Sequence, residues 1–109
     1  MRRGEVWTVS GRGHYAGKPR PAVIIQSDLY DALSSVTLCA LTATIVEAPS
    51  SRPIVRPAAE NGLLATSYAM IDKITTVPAE NLGKRIGSLS EQDMARIDGA
   101  LALFLGLAS

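Results

Sequence analysis

The sequence predicts a mainly β fold, a small barrel or strongly curved antiparallel sheet, followed by one C-terminal amphipathic α-helix. Three observations predict it. Short apolar or alternating runs recur along the chain, each bounded by Gly, Pro, Asn or Ser. The run Val36-Thr37-Leu38-Cys39-Ala40-Leu41-Thr42 is apolar almost throughout, as a strand covered on both faces must be. Near the end the period changes from two to that of a helix. Many short strands and a single helix fit a barrel better than a layered α/β sheet.

The elements follow in order. Glu5-Val6-Trp7-Thr8-Val9 alternates polar and apolar and reads as a first strand. Residues 10–17 hold three glycines in eight and read as a loop. Residues 21–26 form a second apolar strand. Ser27-Asp28 is placed to cap a short helical turn over 29–33. After the long third strand, Ala48-Pro49-Ser50-Ser51-Arg52-Pro53 breaks the chain, and Ile54-Val55-Arg56 is a short strand ended by Pro57. Asn61-Gly62 signals a turn. Residues 67–76 read as one strand and Arg85-Ile86-Gly87 as a short late one. Ser90 with Asp93 resembles a capping box, Asp replacing Glu. Met94, Ile97, Leu101, Phe104 and Leu105 then make the helix's apolar stripe, with Leu103 and Leu107 beside it.

The composition bounds the function. With 47% apolar and 19% charged residues, residues 1–109 form one globular domain able to bury a core without disulfides. No apolar run approaches the length of a membrane span, and the N-terminus lacks the apolar stretch of a signal peptide. The expected compartment is the cytoplasm. One cysteine and one histidine exclude a zinc site built on several of them. Cys39, inside an apolar run, reads as a buried thiol rather than a nucleophile. The net charge is only +1, but residues 1–20 carry Arg2, Arg3, Arg12, Lys18 and Arg20 against Glu5 alone. That basic front can attract a polyanion, or can be simply solvated.

The sharpest local feature is Gly17-Lys18-Pro19-Arg20-Pro21, running into Ala22-Val23-Ile24-Ile25-Gln26. Each proline fixes its own φ and pushes its predecessor to extended backbone. Lys18 and Arg20 therefore sit on stiff chain, and a guanidinium so held loses little freedom on gripping an anion. Thr42 ends the apolar strand, with Thr44 two residues on. Asp72 interrupts an apolar strand and calls for a cation, Arg20 or another. His14 lies in the glycine-rich loop, where it can act as acid or base near neutral pH. Each has a plainer reading: a solvated cation, an ordinary strand threonine, a solvent-facing carboxylate, an idle histidine.

Taken in order, R-G-E-V-W, G-K-P-R-P-A-V-I-I-Q-S-D, C-A-L-T-A-T, S-Y-A-M-I-D-K-I-T-T-V-P and I-G-S-L-S-E-Q-D-M-A-R-I-D-G-A-L closely resemble the MazF/PemK (Kid) toxins of bacterial toxin–antitoxin systems, over essentially the whole chain. The resemblance implies an SH3-like barrel working as a homodimer. It implies an endoribonuclease, an mRNA interferase that cuts single-stranded RNA at short motifs without metal or cofactor. It also implies a cognate antitoxin whose disordered C-terminal segment lies over the active groove. Carried over by motif, the catalytic residues fall on Arg20, Thr42, Asp72 and His14, and RNA contacts on Lys18, Tyr15, Arg12 and Thr44. The chain departs from the Kid-like pattern at Met70, where that pattern has an arginine, and this shifts weight to Arg20.

The chemistry this implies uses the RNA's own 2′-OH to attack the adjacent phosphate, leaving a 2′,3′-cyclic phosphate and a 5′-OH. Arg20 is assigned the developing charge on the phosphoryl oxygens, and Thr42 the scissile phosphate or attacking hydroxyl. The general base is open between Asp72 and His14, with Glu5 a remote third. Trp7, Tyr15 and Tyr30 are the aromatics available for stacking, Trp7 reading rather as core. Two rival classes remain: a gyrase poison of the CcdB type on the same barrel, and a non-catalytic SH3-like binding module. The R-P…T pattern and the Leu105-Gly106-Leu107-Ala108-Ser109 ending, which lacks the tryptophan typical of the poisons, favour the ribonuclease.

Overall fold

The computed structural model describes residues 1–10, 18–45 and 51–108. Seven strands are defined among them: β1 (Glu5–Val9), β2 (Arg20–Ile24), β3 (Ser35–Thr42), β4 (Ile54–Val55), β5 (Ser67–Ala69), β6 (Thr75–Pro78) and β7 (Leu82–Ser88). One helix, α1 (Glu91–Phe104), follows. The strands run antiparallel in the order β4-β5-β3-β2-β1-β7, and β6 also pairs with β3. The mainly β architecture with one C-terminal helix is the one expected from the sequence.

β3 is the organising strand. One edge pairs with β2 through Ala22↔Ala40, Val23↔Cys39 and Ile24↔Leu38. Its other edge is shared, with β6 on residues 35–38 and β5 on Leu41 and Thr42. Side chains alternate between two cores, as strand geometry requires. Val23, Cys39 and Leu41 join Val6, Ile71 and Ile97 on the helix side. Ala22, Ile24, Leu38 and Ala40 join Val9, Val36 and Met70 on the other, with Trp7 packed at its edge. The strand is thus buried on both faces, and burial pushes the Cys39 thiol up to about 12, which leaves it inert.

The predicted continuous strand over 67–76 is broken. Residues 71–73 make a 3₁₀ turn between β5 and β6. The Met70 amide still reaches the Ala40 carbonyl (2.9 Å), so the chain stays on β3 while Ile71 fills the core. The turn gives Asp72 a place outside the ladder, where an extended strand would have left it between apolar neighbours. Other differences are smaller. The turn after Ser27 covers only Asp28–Tyr30, with the Ser27 hydroxyl accepting from the Leu29 amide. The late strand is longer than predicted.

On α1, Ser90 Oγ accepts from the Asp93 amide at 3.1 Å, the predicted cap. The reciprocal half of a capping box is replaced, since Asp93 pairs with Arg96 instead. Ile97 and Ala100 are buried, and Met94 and Leu101 pack beside them. The predicted stripe ends there: Phe104 and Leu105 are half exposed, like Leu103, and Leu107 more so. Among the described residues no helix is long and apolar enough to cross a membrane.

The free edge of β7 is covered by residues 60–62. The Ser88 amide donates to the Glu60 carbonyl at 2.7 Å. The backbones meet so closely that a Cβ on Gly62 would lie 2.1 Å from the Ile86 carbonyl oxygen, and one on Gly87 would lie 2.3 Å from the Glu60 carbonyl oxygen. Gly62 also has φ +69°, which glycine adopts without strain. Asn61 is 1% exposed. Its side chain accepts from the Ala58 and Leu63 amides and donates to the Arg56 carbonyl. What reads in the sequence as a turn is therefore the seam that closes the curved sheet. We expect Gly87→Ala to lower stability by about 2–4 kcal/mol in chemical denaturation, because backbone must move to admit the methyl. Gly99→Ala, on the exposed face of α1 with nothing within 4 Å, should instead raise it by about 0.5–1 kcal/mol.

Candidate active site

The two strands that carry the strongest candidates are hydrogen-bonded neighbours. The β2–β3 register runs from Ala22↔Ala40 toward Arg20 on one strand and Thr42 on the other. Arg20 also pairs with Val9 across β1, so its backbone is held from the far side. Both residues line one cavity of about 530 Å³, with Lys18, Pro19 and Pro21 beside them. Arg20 and Pro21 lie on the extended backbone of β2, as expected of them, whereas Lys18 stands at a bend before the strand. Thr8, Leu41, Ala43, Ser67, Ile86 and the 62–65 segment complete the described walls.

The polar groups here are arranged to receive rather than to pair with one another. Thr42 Oγ1 accepts from the Thr44 amide at 3.2 Å, which orients the hydroxyl and leaves its proton to donate. Thr44 thus acts through its backbone, its side chain being exposed. Thr8 Oγ1 accepts from the Lys84 amide at 2.9 Å, where the β1–β7 register shifts. Ser67 Oγ donates to the Ala65 carbonyl at 3.0 Å. Among the described residues no carboxylate pairs with Arg20 or Lys18, and none lines the cavity. Two unneutralised cations in a lining that also holds Leu41, Leu63, Leu64 and Ile86 make a site for an anion with an apolar appendage.

Asp72 is placed elsewhere. It stands on the 3₁₀ turn, outside the described cavity lining, and its partner is Arg52. Arg52 Nε meets Oδ1 at 2.6 Å and Nη2 meets Oδ2 at 3.1 Å, a two-pronged pair. The Arg52 guanidinium holds the Asp72 carboxyl below its usual range, against the opposing effect of burial. The cation the sequence called for is thus Arg52, not Arg20. The pair pins residues 51–53 onto β5 and the turn, alongside hydrogen bonds from the Ala69 amide to the Pro53 carbonyl and from the Ile71 amide to the Ser51 carbonyl.

Glu5 is similarly occupied. It accepts from the Arg2 amide and the Trp7 indole and pairs with Arg85 at 2.9 Å. Burial pushes its carboxyl up, but these hydrogen bonds and the Arg85 charge outweigh it and leave it lowered. Trp7 is half-buried against the second core, as its strand position suggested. Tyr30 is exposed on the turn after β2. His14, Tyr15 and Arg12 lie outside the described residues.

Sequence reasoning missed Thr8, Ser67, Leu63, Leu64 and Ile86 as cavity residues. Thr8 is an ordinary outward position of an alternating strand until the bulge turns it. The apolar pair Leu63-Leu64, following a turn signal, was the one legible hint of a further apolar wall.

The Asp72–Arg52 pair has a stability consequence. A depressed folded pKa gives stability that is present above the unfolded carboxyl range and is lost as pH falls through the lowered value. We expect Asp72→Asn to cost about 1–3 kcal/mol near pH 7, measured by denaturant titration. The gap to wild type should begin to narrow at about pH 4 and close as the pH falls through the lowered value. An equal gap at pH 7 and pH 2.5 would show that the pair contributes nothing as an ion pair.

Comparison with known proteins places the chain in a family. The family model for the PemK-like, MazF-like toxin of type II toxin–antitoxin systems matches residues 2–105. The chain is 49% identical over 108 residues to a probable endoribonuclease MazF of Mycolicibacterium smegmatis, covering 99% of each chain. It is 31% identical to the endoribonuclease MazF9 of Mycobacterium tuberculosis, covering 100% of this chain and 99% of that one. Its fold superposes with TM-score 0.80 on a mycobacterial endoribonuclease solved in complex with its cognate antitoxin, at 26% identity, covering 100% of this chain and 98% of that one. A MazE–MazF structure from Deinococcus radiodurans shares the fold at TM-score 0.79 and 16% identity, covering 99% of this chain and 98% of that one. With a match over nearly its whole length and the arginine–threonine cavity at the end of its central strands, the chain belongs to the PemK-like, MazF-like toxin family of type II toxin–antitoxin systems.

Proposed function

We propose that this MazF-like endoribonuclease toxin cuts single-stranded RNA by in-line attack of a 2′-oxygen on the adjacent phosphorus. The observation that carries the reading is the cavity itself: Arg20 and Thr42, on paired strands, meet in a recess whose described lining holds cations and hydroxyls but no carboxylate. The 2′-oxygen bonds to phosphorus, the bond to the 5′-oxygen breaks, and the products are a 2′,3′-cyclic phosphate and a 5′-OH. The nucleophile belongs to the substrate, so the chain's own residues need only bind, orient and move protons. Arg20 stabilises the charge that grows on the phosphoryl oxygens. Thr42 donates to the scissile phosphate, its oxygen already fixed by the Thr44 amide. Lys18 draws the flanking phosphate, helped by Arg12 and Tyr15 from the adjoining segment.

The 2′-OH proton goes to His14, four residues before Lys18 in the chain, and the departing 5′-oxygen takes its proton from water. Asp72 supports this assignment indirectly: both its oxygens are engaged by Arg52 and it stands off the described lining. Its role is then to anchor residues 51–53. A cognate antitoxin lays an extended acidic segment across the cavity, and the toxin works as a homodimer in the cytoplasm. The antitoxin part draws support from the mycobacterial complex that shares this fold.

Arg20→Ala should retain the wild-type melting temperature and lose about 10²–10³-fold in kcat on an RNA oligonucleotide in EDTA. Thr42→Ala should lose about ten- to hundredfold. A single 2′-deoxy substitution at the cleavage position should stop cutting at that bond, and cutting there would exclude the 2′-oxygen mechanism. For a histidine base, kcat/KM should fall on acidification as the imidazole takes up its proton. A limb below about pH 4 would return the role to Asp72.

A further inference from the structure

We propose that Leu64 is a platform for one unpaired nucleobase, beside the phosphate gripped by Arg20. The inference rests on the ribonuclease reading above and deepens it. Leu64 is 100% exposed, yet it stands on the wall of the same cavity as Lys18 and Arg20. An isolated exposed leucine is unremarkable, but this one is held out on backbone fixed from both sides. Before it, Gly62 lies against the Ile86 carbonyl, the Leu63 amide is bound by Asn61 Oδ1 at 2.9 Å, and the Leu63 side chain is anchored in the core. After it, Ser67 Oγ ties down the Ala65 carbonyl. The apolar face at 64 is therefore presented in advance, with little ordering cost on binding.

The occupant follows from the pairing of chemistries. Single-stranded RNA alternates an anionic phosphate with a flat, largely apolar base face. The described lining of the cavity combines Arg20 and Lys18 with Leu63, Leu64 and Ala65. A nucleotide whose phosphate sits at Arg20 can lay its base on the leucine wall, where contact with the face tolerates any base and adds affinity rather than rate.

The test uses kinetics on an oligonucleotide with a mapped cut, for wild type, Leu64→Ala and Leu64→Phe, and on versions carrying an abasic residue at each position around the cut. Leu64→Ala should raise KM on the order of three- to tenfold with kcat unchanged, and Leu64→Phe should restore or lower KM because a ring stacks better than an isobutyl group. Both should melt like wild type, the side chain being exposed. The KM rise should vanish for the one oligonucleotide that lacks the stacked base. An unchanged KM in both variants overturns the proposal and leaves the wall to a protein partner. A KM rise that persists with every abasic oligonucleotide also overturns it. Binding of the 2′-deoxy-blocked oligonucleotides, read by fluorescence anisotropy, gives the same comparison without cleavage. A wild type that binds with this Leu64 dependence but never cuts would overturn the ribonuclease reading alone.

Discussion

The close contact of residues 60–62 with residues 86–88 is the constraint on which the rest of the site depends. A curved antiparallel sheet ends in two edges, and unpaired edges are costly or sticky. Here the chain after β4 crosses to β7 and covers it at a spacing only two glycines permit. Asn61, buried between them, satisfies three backbone groups that the crossing would otherwise strand. The same crossing brings Gly62, Leu63 and Leu64 into the lining of the cavity, together with Ile86. Barrel closure and the apolar wall of the site are thus one structural event.

The electrostatics follow from a second division of labour. Arg2, Arg3, Arg52, Arg85 and Arg96 each stand within ion-pair distance of an aspartate or glutamate. Those pairs tie the N-terminal residues to Asp28 and to α1, and residues 51–53 to the turn after β5. Lys18 and Arg20 are left without a carboxylate among the described residues. A net charge of +1 therefore hides a local excess of positive charge at the mouth of the cavity. That is where a phosphodiester would be drawn, and its attraction is strongest where low-dielectric walls limit screening.

Most of the fold was legible because its signals are local. The alternation of β1, the apolar run of β3, the prolines around β2 and the Ser90 cap each act within a few residues. Two readings failed where distant residues decided. The strand over 67–76 breaks because Asp72 turns out to meet Arg52, twenty residues earlier. The helix stripe stops at Leu101 because periodicity marks which residues share a face, not how far the sheet extends beneath them. Asn61-Gly62 does close the turn it signals, with the Asn61 amide on the Ala58 carbonyl, but nothing near it in sequence reports the Ile86 carbonyl lying against it.

The sequence by itself determined the class of fold, the family pattern, and Arg20 and Thr42 as residues of interest, since proline stiffness and strand periodicity are properties of short stretches of chain. Only the tertiary structure decided that these two share a cavity, that Asp72 is bound to Arg52, and that Leu63 and Leu64 join the same lining. Register, closure and ion pairing are relations between segments far apart in the chain, and they exist only once the sheet has curved and the two glycines have let its edge be covered.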